Sequence, residues 1–219
     1  MRVQLIQKNI NQKDFVKYLK MAEDSGADFA CLGELSTSGC RYNVKEVEDF
    51  ESILEKLSQI NIPVMVGFPH FRDNNLYNSY IYYESGAYQI YDKINLFEPM
   101  KESKIYKSGK EIKLFDTVIG KIGVLICYDL RFPELFKKLS DMGAKIIFVP
   151  AAFPRERIDD WKRLLVERAV ENNIYICGIN AVGDDGKNEF GGTTMAISPS
   201  GKIIAKADEI NEKNVEVDL

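Results

Sequence analysis

The sequence predicts an α/β fold in which two β-sheets pack face to face with helices on the outside. Three observations carry that expectation. Apolar strand-like runs alternate with amphipathic helical stretches early in the chain and again from Lys121 to Ile179. Hairpin signals are interspersed between these units. The strands number about a dozen, whereas one sheet usually holds about 4–6, so stacking two sheets between helices buries them all.

Taken in order, Val3 to Gln7 reads as the first strand. Asn11 or Asp14 caps a helix that runs to about Ser25, with Phe15, Leu19 and Ala22 on its inner face, and Gly26 ends it. Asp28 to Leu32 is a short strand, with Gly33-Glu34-Leu35-Ser36 at its carboxyl end. Val44 to Ile60 is mostly helical, because Val47, Phe50, Ile53, Leu54 and Leu57 recur at helical spacing. Pro63 to Phe68 is a strand, and Leu76 to Tyr83 with Tyr88 to Tyr91 makes a hairpin turning at Gly86. Asn95 to Lys110 is a polar loop, and Glu111 to Phe115 pairs with Lys121 to Ile126. Ile158 to Asn172 is a helix with Trp161, Leu164, Leu165 and Ala169 on its apolar face. Ile174 to Ile179 is a strand, Val182 to Gly192 a glycine-rich polar loop, Thr193 to Ser198 with Lys202 to Ala207 a hairpin, and Val215 to Leu219 a last strand. No repeat of fixed period and no linker interrupts the chain, so residues 1–219 are expected to form one domain.

The centre of the pattern is Lys121 to Glu134. An apolar strand leads up to Cys127, Pro133 and Glu134 open a helix, and Gly143 closes it. Cys127 thus falls at a strand's carboxyl end near a helix N-terminus, where backbone N–H groups favour a thiolate. The alternative is a buried cysteine acting as a small hydrophobe.

Composition narrows the function. The chain has 219 residues, 45% of them hydrophobic and 28% charged, with a net charge of −4 and no basic stripe, so nucleic acid is an unexpected partner. No apolar run approaches the roughly 18 residues of a membrane span, and the N-terminus reads as a strand rather than a secretion leader. The four cysteines form no Cys-x-x-Cys pair and there is one histidine, so neither zinc nor a disulfide framework is expected. Reduced thiols in a cytoplasm fit this usage; Cys31 and Cys177 lie in strands as inert core, and Cys40 is a candidate for exposure.

Three ionisable residues follow strand ends: Glu34, Lys93 and Cys127. If those strands neighbour one another in one sheet, the three converge on one edge of it. A cysteine nucleophile needs a proton acceptor within reach. His70 is one candidate; a buried Glu34 kept ionised by Lys93 is the other. From spacing alone a structural Glu34–Lys93 ion pair is the favoured reading.

Five pieces together resemble the carbon–nitrogen hydrolase (nitrilase) superfamily with its Glu-Lys-Cys triad. They are Gly33 to Gly39, Tyr91-Asp92-Lys93-Ile94-Asn95-Leu96-Phe97, Ile126 to Glu134, Trp161 through Ala169-Val-Glu-Asn172, and Gly192-Thr193 with Pro199-Ser200-Gly201. The resemblance implies a four-layer αββα sandwich, a homodimer made through its helices, no cofactor, and a small-molecule amide and water as reactants. It also implies a second glutamate after the lysine, matched by Glu102 rather than Glu98. Cys-Tyr-Asp-Leu-Arg-Phe-Pro-Glu is similar to the omega-amidase branch and to its neighbour acting on deaminated glutathione. Other amidases or carbamoylases of the superfamily, and a silent binding protein on the same fold, are the alternatives. Asn95, Asp160 and Thr193-Thr194 stand where many members have His, His and His-Ser. The chain stops soon after its last strand, so a dimer weaker than that of most members, or clasped differently, is expected.

The implied chemistry is acyl transfer. Glu34 takes the Cys127 proton, the thiolate attacks the amide carbon, Lys93 and the Tyr128 N–H hold the oxyanion, ammonia leaves, and water releases the acid from a thioester. Glu102 positions Lys93 or the substrate. Arg131 either binds a substrate carboxylate or is structural, in a turn two residues from Asp129; Arg155 is the preferred substrate contact, and Tyr42 and Phe153 are pocket walls. Lys93→Met is expected to abolish turnover and leave the fold intact.

Overall fold

The computed structural model describes residues 1–39 and 47–219. Cys40, Tyr42 and the expected helical start at 44–46 lie outside the described residues. Two six-stranded sheets form the centre. In the first, β14 (Lys213–Asp218), β1 (Arg2–Gln7), β2 (Phe29–Cys31), β3 (Val64–Arg72), β4 (Asn75–Glu84) and β5 (Ala87–Asp92) lie in that order. In the second the order is β13 (Ile203–Lys206), β12 (Met195–Ile197), β9 (Tyr175–Ile179), β8 (Ile146–Pro150), β7 (Gly120–Val124) and β6 (Leu114–Thr117).

Strand alternation states which face meets which layer. Leu5, Cys31, Met65, Tyr80 and Tyr82 belong to the inner core, while Ile6, Ala30, Val64, Val66, Ile81 and Tyr83 belong to an outer one. The outer core is closed by α1 (Phe15–Asp24), through Phe15, Leu19 and Ala22, and by α2 (Phe50–Leu57), through Ile53 and Leu57. Phe29 of β2 meets Phe148 of β8 edge to face at 5.9 Å, so the two sheets interdigitate directly. α3 (Pro133–Asp141) and α4 (Ile158–Asn172) cover the second sheet, the latter with Trp161 and Leu165 fully buried. The order of layers is helix, sheet, sheet, helix, as the resemblance implied.

Local signals placed these elements well. The Asp14 carboxylate accepts the Lys17 N–H at 3.1 Å and so caps α1; Asn11 does not. The Asp49 carboxylate caps α2 through the Ser52 N–H, so the helix starts at Phe50 and Val47, expected within it, lies outside. The stretch Val182 to Gly192 is not an irregular loop. It is a small hairpin, β10 (Val182–Asp184) with β11 (Glu189–Gly191), whose turn is closed by the Asp185 carboxylate accepting the N–H groups of Lys187 and Asn188.

The pairing also shows an internal repeat that the sequence hides. From β14 to β5 the neighbours pair antiparallel, parallel, parallel, antiparallel and antiparallel. From β6 to β13 they pair in the same series. One strand-and-helix plan is used twice, and the two copies face each other.

Candidate active site

Glu34 and Lys93 follow β2 and β5 of the first sheet, but Cys127 follows β7 of the second. The expectation that all three share one sheet is therefore corrected: they meet because the two sheets are stacked. The strand also stops at Val124, and Cys127 begins a 3-10 turn (Cys127–Arg131) that separates it from α3. Cys127 has φ +48°, a left-handed conformation that non-glycine residues rarely hold without surrounding constraint.

Asp129 supplies that constraint. Its fully buried carboxylate accepts the Ile126 N–H at 3.0 Å and the Tyr91 hydroxyl at 2.8 Å on one oxygen. The other oxygen accepts the Asn95 N–H at 2.8 Å and the Asn95 side-chain amide at 2.9 Å. Burial pushes the Asp129 carboxyl up, and these donors pull it back. One side chain thus ties the cysteine turn of the second sheet to the lysine segment of the first. Arg168 of α4 holds the same turn from behind, donating Nε–H to the Leu130 carbonyl at 3.2 Å.

The charged cluster is almost wholly buried. Lys93 Nζ donates to Glu34 Oε1 at 2.9 Å and to both Glu102 oxygens at 3.1 and 2.9 Å. Glu102 also accepts the Phe97 N–H at 2.6 Å. Glu98, by contrast, accepts from the exposed Ser103 hydroxyl. Glu34 Oε2 accepts the Ala152 N–H at 3.0 Å, so a loop of the second sheet fixes a carboxylate of the first. Asn78 of β4, which the sequence analysis passed over, donates Nδ2 to Glu34 at 2.7 Å and to Glu102 at 3.0 Å. It carries no signal in the sequence beyond a polar residue in a strand.

Burial by itself would lower the Lys93 pKa, but Glu34 and Glu102 outweigh it and hold the ammonium well above the ordinary lysine value. The Cys127 thiol is pushed well up, first by burial and then by the Glu34 charge, against the pull of Lys93. That direction opposes the thiolate that a nearby helix N-terminus would favour, and it calls for a base to take the proton. Alkylation by iodoacetamide tests this. Raising an acid's pKa moves its ionisation to higher pH, so the Cys127 rate should still be climbing at pH 9, where a free cysteine of pKa about 8.5 is already mostly ionised. A plateau below pH 8 would contradict it.

His70 is no alternative base. It packs against Phe68 and Phe50, at 5.2 and 4.8 Å, on the outer face under α2. Cys31 and Cys177 are buried in the inner core, their thiols pushed up by burial, as expected of inert residues.

One glycine makes room for Glu34. A Cβ on Gly67 of β3 would lie 2.5 Å from the Gly33 carbonyl and 2.5 Å from the Leu35 nitrogen. Both neighbours are backbone of the turn that carries Glu34, and that turn must shift. Gly67→Ala should cost about 1–3 kcal/mol in urea unfolding, and misplacing the carboxylate should lower turnover by roughly 100-fold. Unchanged activity would show that the turn's position is not needed.

A cavity of about 190 Å³ opens beside Cys127. Of the expected pocket residues, Tyr128, Phe153 and Arg131 line it; Arg155 does not. The Arg155 guanidinium is held by Glu189 at 3.2 Å and by the Glu209 carbonyl at 3.1 Å. Arg131 pairs with Asp160 at 2.9 Å, not with Asp129, whose oxygens are already engaged. Among the described residues no group of acidic, histidine and cysteine side chains is arranged to hold a metal ion, and no helix is long and apolar enough to cross a membrane.

Known proteins resemble this chain in sequence and in fold. The carbon–nitrogen hydrolase family model matches residues 2–219. A 2-oxoglutaramate amidase of Bacillus subtilis is 34% identical over 208 residues, 90% of this chain and 80% of its own. A deaminated glutathione amidase of Dictyostelium discoideum is 30% identical over 250 residues, 99% of this chain and 86% of its own. Among solved structures, an amidase from Nesterenkonia sp. AN1, with acrylamide added at its active site cysteine, superposes with a TM-score of 0.91. At 22% identity, over 100% of this chain and 93% of that one, the likeness is one of fold.

Proposed function

The chain belongs to the carbon–nitrogen hydrolase family, and from that premise we propose that it hydrolyses the terminal amide of a small carboxylic acid, releasing ammonia through a thioester on Cys127. The observation that carries this reading is the buried Glu34–Lys93–Glu102 cluster beside a half-buried cysteine that opens onto a cavity.

Glu34 is the general base. Asn78, Lys93 and the Ala152 N–H fix its two oxygens, which keeps the carboxylate aimed. It takes the thiol proton as sulfur attacks the amide carbon, and it returns that proton to the departing nitrogen. The oxyanion forms near Lys93 and the start of the 3-10 turn. The first N–H that the turn itself uses is that of Asp129, on the Ile126 carbonyl at 3.0 Å. The N–H of Tyr128 precedes it and has no hydrogen-bond partner among the described residues, which suits it to the oxyanion. Glu34 then activates water, and the thioester yields the acid. Glu102 anchors the lysine and touches no reacting atom. No step draws on a metal or organic cofactor. A homodimer in the cytoplasm is part of the same proposal, on the family resemblance.

Ammonia release from a panel of small amides tests the reading. Turnover of 2-oxoglutaramate and 2-oxosuccinamate above that of uncharged amides supports an omega-amidase. Carbamoyl substrates turned over in preference would move the assignment to a carbamoylase. No release on any substrate from a folded protein would leave the silent binding protein.

A further inference from the structure

Two arginines border the cavity beside Cys127, and they are differently occupied. Arg131 is paired with Asp160 at 2.9 Å, and Asp160 is held a second time by Arg163 at 3.2 Å. Its charge is spent on the protein. Arg157, the last residue of the 3-10 turn Arg155–Arg157, is not so spent. Its Nε lies 3.3 Å from the exposed carboxylate of Glu156, and among the described residues neither of its Nη nitrogens has a hydrogen-bond or ion-pair partner. Its guanidinium lies over the Phe97 ring, 5.4 Å from the centroid. Phe97 packs in turn on Tyr128 at 5.0 Å, and Tyr128 adjoins the nucleophile.

We infer that Arg157 selects substrates carrying a carboxylate at the end remote from the scissile amide: the amide carbon sits at Cys127 and the carboxylate, across the Phe97 ring, at the two Nη nitrogens. This rests on the amidase reading above. A planar guanidinium with two parallel N–H donors matches a carboxylate bidentately. The Phe97 stack and the Glu156 contact hold the guanidinium before substrate arrives, so less freedom is lost on binding. The partly desolvated cavity strengthens the attraction. The other acidic group of the lining does not compete, because Asp185 turns its carboxylate to the N–H groups of its own turn. Arg155, two residues earlier, faces Glu189 instead, so the sequence alone points at the wrong arginine of the pair.

The test is the ratio of kcat/KM for 2-oxoglutaramate to that for pentanamide, an uncharged amide of equal chain length, in the wild type, Arg157→Leu and Arg157→Lys. We expect the wild type to favour the carboxylate, Arg157→Leu to lose on the order of 100-fold of that ratio through KM, and Arg157→Lys to fall between. A ratio unchanged in Arg157→Leu overturns the assignment. So does an equal loss on both amides, which would mark a residue that shapes the cavity without reading charge. A wild type that turns over pentanamide better than 2-oxoglutaramate fails at the earlier step, the substrate class, whatever the variants do.

Discussion

Replacing Lys93 by methionine should stop turnover and also cost about 3–5 kcal/mol of stability, a fall in Tm of about 6–20 °C for a chain of this size. Methionine keeps the length of the side chain and discards its charge. The buried carboxylates of Glu34 and Glu102 would then face each other with only the Asn78 amide between them. Removing one member of a buried pair leaves the others uncompensated, so the variant is expected to stay folded, as the sequence suggests, but at reduced stability. The loss of rate adds the missing oxyanion donor, about 100- to 1,000-fold, to the disturbance of the base. A second change separates the effects. Glu102→Gln in the Lys93→Met background removes one stranded charge and should recover part of the stability without recovering turnover. Ammonia release near the wild-type rate from folded Lys93→Met would rule out the lysine's part in the chemistry.

Cys127→Ala should lower amide hydrolysis by about 10,000-fold or more while leaving the unfolding transition close to the wild type. The thiol is half-buried at the mouth of the cavity, and the turn that carries it is held by the Asp129 carboxylate rather than by sulfur. Acid-quenching the wild type during turnover should trap a covalent acyl adduct, read by mass, that the variant lacks. Comparable turnover in Cys127→Ala would mean that water attacks the amide directly, with Glu34 as its base. The two substitutions thus give opposite signatures: loss of rate with loss of stability at Lys93, loss of rate alone at Cys127.

The sequence by itself determined what depends on near neighbours along the chain. α4 runs over Ile158–Asn172 as its periodicity requires, and Asp14 caps α1 because a short carboxylate before a helix reaches its free N–H groups. Glu34, Lys93 and Cys127 stood out because each follows a strand end, and Glu102 because the family resemblance implies a second glutamate after the lysine; the structure brings Glu34, Lys93 and Glu102 into hydrogen-bond contact beside Cys127. Only the tertiary structure decided which strands are neighbours. Periodicity records that a face is buried, not what it is buried against. That is why the cysteine's membership of the second sheet was invisible, and with it the Ala152 N–H that steadies Glu34. The same limit hid Asn78, an ordinary polar residue of β4 until Glu34 and Glu102 arrive from distant segments to share its amide. It also hid the choice between Arg155 and Arg157. They sit on one short turn, and the packing of that turn against β11 sends one guanidinium to Glu189 and the other over Phe97 into the cavity.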